Sequence, residues 1–219
     1  MTESKLKLLV IIGAGGLGRE VASLVNDINK ESITWDLIGF IDDRKKGQTV
    51  EGYPIIGKFD DVFELKPTPA VVIAIADSAI RLKMFERLMA KGVRVVSVVH
   101  PSVVMSDYVD IGEGTIICAG SVITTNVKLG KACIINPNCF VGHDSGLSDF
   151  VSLMPGANIA GDVTVGEGTY LGLNSTVINK VKIGAWSTIG AGAAVVKDLP
   201  DHVTAVGVPA KIIKSTSSF

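Results

Sequence analysis

Aromatic side chains are scarce, at 5% of the 219 residues, and neither sign of charge dominates. The 21 Lys and Arg against 22 Asp and Glu leave a net charge of −1. Balanced charge excludes the basic field that draws a nucleic-acid backbone or an anionic membrane surface. Cys118, Cys133 and Cys139 are an odd number of thiols without the spacing of a disulfide framework. The opening stretch MTESKLKLLVIIGAGG has too short an apolar run for a membrane span and no signal-peptide cleavage pattern. A soluble, cytoplasmic protein is the expectation. Histidine is limited to His100, His143 and His202. What is plentiful is glycine, 24 residues, within a composition that is 47% hydrophobic. That combination points to an aliphatic core with many tight turns, not to a bundle of helices.

The first hundred residues alternate two patterns. LKLLVII (6–12), LIGFI (37–41), AVVIAIA (70–76) and VRVVSVV (93–99) read as buried parallel strands. Between the first two, Val21, Leu24, Val25 and Ile28 share one helical face. Asp77 or Ser78 caps a further helix that ends near Gly92. Strand–helix alternation of this kind makes a small parallel sheet with covered faces.

Beyond residue 99 the period changes to six. Aliphatic residues recur without a miss from Ile111 through Ile117, Ile123 and onward to Ile189 and Val195. Independent draws at this composition give such a run a chance of roughly 10⁻⁵ in one phase, so the repeat is real. Four residues after each hit the side chain is mostly small, as at Thr115, Ser121, Cys133, Cys139, Ser145 and Ala157. One residue after each hit glycine is frequent, as at Gly112, Gly130, Gly142 and Gly166, where it is expected to supply a positive φ. A period of six fits short strands joined by corners, three to a coil, in a parallel β-helix. The expected division is residues 1–98, an α/β Rossmann-like half domain; 99–200, the β-helix; and 201–219, a tail that closes it.

Within the helix, NCFVGHD (138–144) places His143 and Asp144 at a corner, where side chains point outward. Imidazole ionises close to neutral pH and is the obvious base there. Residues eighteen apart stack on neighbouring coils at roughly the 4.8 Å spacing of paired strands, so Gly161 falls beside His143. A bare peptide N–H in that position suits the oxygen of a thioester as it becomes an oxyanion. Metal ligation is not expected, because His143 is the only histidine between residues 101 and 201.

GAGGLG, with Gly13, Gly15 and Gly18 between a strand and a helix and Asp42 at the end of the second strand, carries the form of a dinucleotide fingerprint. An NAD-dependent oxidoreductase is therefore one alternative, although the four strands before the hexads supply only half of a dinucleotide fold. A β-helix scaffold without activity is another.

VVIIGAGGLGREVASLV, IGFIDD, GYPIIG, AIADSAIR, HPSVVMS, IIN, VGHD, PGANIAG and GVPAK follow one another over nearly the whole chain. In this order they resemble the bacterial nucleotide-aminosugar N-acetyltransferases and the related sialic acid O-acetyltransferases, hexapeptide-repeat enzymes. The resemblance implies a left-handed β-helix, a homotrimer, and acetyl-CoA as co-substrate with no metal. It implies direct transfer to the amino group of a nucleotide-linked deoxy-aminosugar, or alternatively to a sugar hydroxyl as on sialic acid. His143 becomes the general base, Asp144 its orienting partner, and Asn136 a residue lining the same site. The loop at Gly13, Gly15 and Gly16 is assigned to nucleotide phosphate, and Asp42 or Asp43 to polar groups of that ligand. Gly161, Ala191 and Lys211 are assigned to the acyl donor, the last two along the pantetheine arm. Two departures from the family are visible. Leu17 stands where histidine is usual in the glycine loop, and Ser152 replaces a second histidine, which puts the acceptor in question.

Overall fold

The computed structural model describes residues 6–43 and 47–215; residues 1–5 of the first expected domain and 216–219 of the tail lie outside them. Two compact units divide the chain, Met1–Pro101 and Ser102–Phe219.

The first unit is a five-stranded sheet. Strand β1 (Lys7–Ile12) leads into helix α1 (Gly16–Glu31), then β2 (Trp35–Ile41), β3 (Thr49–Val50), β4 (Tyr53–Gly57), a 3-10 turn over Phe59–Glu64, β5 (Ala70–Ile73) and helix α2 (Ser78–Ala90). The order across the sheet is β3-β4-β2-β1-β5. Leu9, Val10, Ile11 and Ile12 are buried in succession, as a strand covered on both faces requires. Helix α1 buries Val21, Leu24 and Val25, and the Asp77 carboxylate caps α2 by accepting the Ile80 N–H at 2.9 Å.

Two segments differ from the expected pattern. The run 93–99 does not form a full fourth strand: Val95 makes an isolated bridge to Val71, and only Val98–Val99 is extended further on. Its backbone bonds beside β5 are two, Arg94 O accepting from Val71 N–H and Val96 N–H donating to Val71 O. On the opposite side of the sheet, Tyr53–Gly57 of GYPIIG forms β4, parallel to β2 and closed by a short antiparallel pairing with β3. Pro54 is tolerated because it lies opposite Thr49 in that short edge pairing.

The second unit is the left-handed parallel β-helix. Its hexads form three parallel sheets in which each strand pairs with the strand eighteen residues on, for example Phe140–Val141 with Asn158–Ile159 and Gly146–Leu147 with Thr164–Val165. The aliphatic hits from Ile117 to Val195 are all buried and Ile111 is half-buried; each buried side chain contributes about 1.5–3 kcal/mol. The small position is inward too, and most of its hydroxyls bridge coils, Ser175 Oγ being the one left without a partner among the described residues. Ser145 Oγ donates to Ala160 O at 3.0 Å and accepts from Val163 N–H at 3.1 Å, so it ties one coil to the next. Thr115, Ser121 and Thr169 do the same. The repeat ends after Val195, where pairing shifts to sixteen residues, Thr188 with Thr204, and Val203–Val206 receives the antiparallel final strand Lys211–Ser215.

The corner glycines have a different role from the one expected. Gly112, Gly130, Gly142, Gly166, Gly172, Gly184 and Gly190 are not in the positive-φ region. Positive φ falls two residues later, at Asn126, Ala132, Asn138, Asp144, Phe150, Gly156 and Asp162 among others. What requires glycine one residue after the hit is the neighbouring coil. A Cβ on Gly142 would meet the Ala160 carbonyl carbon at 2.5 Å, and one on Gly172 would meet the Ala191 amide nitrogen at 2.6 Å.

Candidate active site

His143 projects from the corner between Phe140–Val141 and Gly146–Leu147, with its side chain 63% exposed. The corner is fixed below it by Val141, fully buried, and by the Ser145 hydroxyl bridging to the next coil. Asp162 N–H donates to His143 O at 2.7 Å, which anchors the main chain at the base of the ring.

The His143 Nδ1 lies 2.8 Å from Asp144 Oδ2. Neighbouring residues can meet in this way because Asp144 sits at φ 60, the left-handed region that Asp and Asn tolerate. With Nδ1–H donated to the carboxylate, Nε2 carries the lone pair. The other carboxylate oxygen, Oδ1, accepts from the Asn126 side-chain amide at 2.6 Å. That bond first, and the one to His143 second, hold the Asp144 carboxyl below the usual aspartate range.

Gly161 lies one coil beyond, as the eighteen-residue stacking predicts. A Cβ on it would stand 2.5 Å from His143 Nε2 and 2.6 Å from Cε1; the ring occupies the space that a side chain at 161 would take. Amides at the equivalent corner position face the following coil: Lys131 N–H donates to Asp149 Oδ1 and Ala185 N–H to Asp201 Oδ1, both at 2.7 Å. The equivalent residue after Gly161 is Asn179, and the Gly161 N–H has no acceptor among the described residues.

Other expected site residues lie elsewhere. Asn136 belongs to the neighbouring corner, between Ile134–Ile135 and Phe140–Val141. It is 6% exposed, and its amide donates to Leu153 O at 2.7 Å. Ala191 occupies that same edge three coils on and is exposed; Lys211 is exposed on the final strand. Within one chain none of the three is brought to His143. Ser152 is buried in its strand, paired with Ile134 and Tyr170 in the neighbouring coils.

In the first unit a cleft of about 520 Å³ opens at the carboxyl ends of β1, β2 and β5. The glycines that line or shape it divide by role. Gly13 adopts φ 97 to turn the chain. Gly18 allows α1 to approach β1, since a Cβ there would collide with Gly13 O. Gly15 and Gly16 have open space where a Cβ would go, leaving the start of α1 accessible to a ligand. Leu17, Ile80 and Met84 form an apolar side of the cleft. Asp42 and Asp43 line it, but each also holds main chain: Asp42 Oδ2 accepts from Ala14 N–H at 2.9 Å and Asp43 Oδ1 from Phe59 N–H at 2.8 Å. The sheet carries a single mononucleotide half, so a dinucleotide has only half its usual platform.

Two contributors escaped the sequence reading. Asn126 lies eighteen residues before Asp144, and the stacking arithmetic that found Gly161 finds it when run backwards. Arg81 is fully buried and donates to Ile75 O and Ala76 O at 2.7 and 3.0 Å, shaping the cleft rim; no sequence pattern distinguishes it from an ordinary helical arginine.

Among the described residues no three His, Cys, Asp or Glu side chains are grouped to share a metal ion, and no helix is long and apolar enough to cross a membrane.

The chain is similar to known proteins over nearly its whole length. Residues 8–88 match the family described as the PglD N-terminal domain. Over 217 residues, 95% of this chain and 97% of the relative, the sequence is 32% identical to a GDP-perosamine N-acetyltransferase of Escherichia coli. PerB from Caulobacter crescentus, solved in complex with CoA and GDP-perosamine, superposes with a TM-score of 0.89 at 35% identity, covering 94% of this chain and 97% of its own. The acetyltransferase domain of PglB from Neisseria gonorrhoeae, in complex with acetyl coenzyme A, gives 0.90 at 33% identity, covering 95% and 100%.

Proposed function

The chain belongs to the hexapeptide-repeat N-acetyltransferases of nucleotide-linked aminosugars, and from that premise we propose that it transfers the acetyl group of acetyl-CoA to the amine of a nucleotide-linked deoxy-aminosugar of the GDP-perosamine type. The observation that carries this reading is the His143 imidazole, held through Nδ1 by Asp144 and set against Gly161 on the next coil.

The amine nitrogen attacks the thioester carbonyl carbon. His143 Nε2 takes the proton that the nitrogen sheds as the C–N bond forms. The carbonyl oxygen becomes an oxyanion facing the Gly161 N–H. Collapse breaks the C–S bond, and the proton on the imidazole passes to the departing CoA sulfur. Asp144 holds the ring in the tautomer that makes Nε2 the acceptor and stabilises the imidazolium once it forms. No acyl-enzyme is required, since neither His143 nor Asp144 is a good resting place for an acetyl group.

The first unit holds the nucleotide, with phosphate at the Gly15–Gly16 end of α1 and the nucleoside along the apolar wall. A homotrimer fits the second unit. The outward strand positions Val104, Val122, Phe140, Asn158, Thr176 and Ala194 form a column without charge, the kind of surface a second copy covers. Acetyl-CoA then lies between copies, along an edge carrying Asn136 and Ala191 and towards Lys211. The reaction takes place in the cytoplasm, where acetyl-CoA is supplied.

An assay that follows CoA release over nucleotide-4-aminosugars and sialic acids tests this. Turnover of a nucleotide-linked aminosugar is expected; acetylation of sialic acid alone overturns the choice of acceptor.

A further inference from the structure

We infer that Asn126 is a positioning residue for acyl transfer: its side-chain amide orders the Asp144 carboxylate, which in turn holds the His143 ring by Nδ1. The inference rests on His143 being the base.

The chain of contacts is short and ordered. Asn126 Nδ2 donates to Asp144 Oδ1 at 2.6 Å, and Asp144 Oδ2 faces His143 Nδ1 at 2.8 Å. These are the two side-chain partners of the carboxylate among the described residues. At an exposed corner, with the Asp144 side chain 51% accessible, a carboxylate bonded only to the ring would exchange that bond for water and rotate. A donor on its second oxygen fixes the plane of the carboxylate and with it the plane of the imidazole. Asn126 comes from the preceding coil, eighteen residues earlier, so the fold itself supplies the donor at rung spacing.

The residue type fits this role more narrowly than the backbone demands. Asn126 and Asp144 both occupy the left-handed region, at φ 56 and φ 60, where Gly, Asn and Asp are the favoured residues. Of those three only Asn offers a hydrogen-bond donor on its side chain. Asn138 and Asn174, also at positive φ, stand instead against Gly120 and Gly156, which have no side chain to orient. The charged residues that continue the Asn126 column are Asp162 and Lys180 on the following coils. Neither is hydrogen-bonded to the Asp144 carboxylate.

Asn126→Gly separates the two roles. Glycine accepts φ 56 more readily than asparagine, so it removes the donor while keeping the backbone. The full chain carrying this change is expected to keep the wild-type melting temperature and KM for acetyl-CoA and to lose about tenfold in kcat, the scale of a modest loss of alignment. Asn126→Asp, which keeps the conformation but sets a second carboxylate beside the first, is expected to lose at least as much. In an Asp144→Asn background, Asn126→Gly is expected to cost nothing further, because residues acting through one path are not additive. Nitrogen-15 NMR of the imidazole is expected to show a single Nδ1–H tautomer in the wild type and a mixture in Asn126→Gly. Wild-type kcat and an unchanged tautomer in Asn126→Gly, with His143→Ala impaired, would overturn the inference and leave the base assignment standing. Wild-type turnover in His143→Ala would instead remove the base assignment, and the inference with it.

Discussion

The His143 imidazole occupies the volume that a side chain on Gly161 would fill, with Nε2 2.5 Å from where a Cβ would stand. One residue is thus glycine because another must lie flat across it. Gly161 has no positive φ, so alanine meets no backbone strain there. Gly161→Ala is expected to displace the ring and not the coil. Activity should fall by about 10²-fold, the usual cost of an ångström-scale misplacement, with the melting temperature within a degree or two of wild type. Steady-state kinetics beside a thermal melt checks both halves of the expectation.

The glycine loop makes a paired prediction. A Cβ on Gly15 enters open space, whereas one on Gly18 collides with Gly13 O. Gly18→Ala should destabilise the first unit by about 1–3 kcal/mol or more, as overpacking does. Gly15→Ala should leave stability unchanged and raise KM for the nucleotide substrate, because the methyl group stands where phosphate approaches. Denaturant melts and substrate titrations of the two variants separate packing from binding.

Cys139 tests the interior of the helix. Burial pushes its thiol up to about 11, because the thiolate loses its hydration inside the coil. At pH 8 the folded chain should therefore resist iodoacetamide at Cys139, and at the equally buried Cys118 and Cys133, while urea-unfolded chain labels at all three. Mass spectrometry after timed alkylation measures this; fast labelling of Cys139 in the folded state would show that the coil opens there.

Much of this architecture was legible because the hexads are local and repetitive. A hit every six residues, read with the eighteen-residue stack, is enough to place His143 at a corner and Gly161 beside it. The glycines were harder. Gly142 and Gly172 look like turn residues in sequence, yet close approach of the next coil is what excludes a side chain, and a contact eighteen residues away leaves no local signature. The same holds for Asn126, whose meaning depends on the identity of the residue stacked on it. In the first unit, Asp42 and Asp43 were legible as residues of a cleft, but not as acceptors for Ala14 and Phe59 N–H, since those bonds depend on how the loops settle. The segment 93–99 has the apolar content of a strand but meets its neighbour only at Val95, and composition does not report how long two segments run side by side.

Proton removal by His143 is the step on which the proposed reaction depends most. The decisive measurement is kcat of His143→Ala with a nucleotide-linked aminosugar and saturating acetyl-CoA, on protein shown by thermal melting to be folded. Because the ring is 63% exposed, its loss should leave stability intact while kcat falls by about 10²–10⁴, the scale of general base catalysis. Turnover close to wild type in a folded variant would contradict the mechanism.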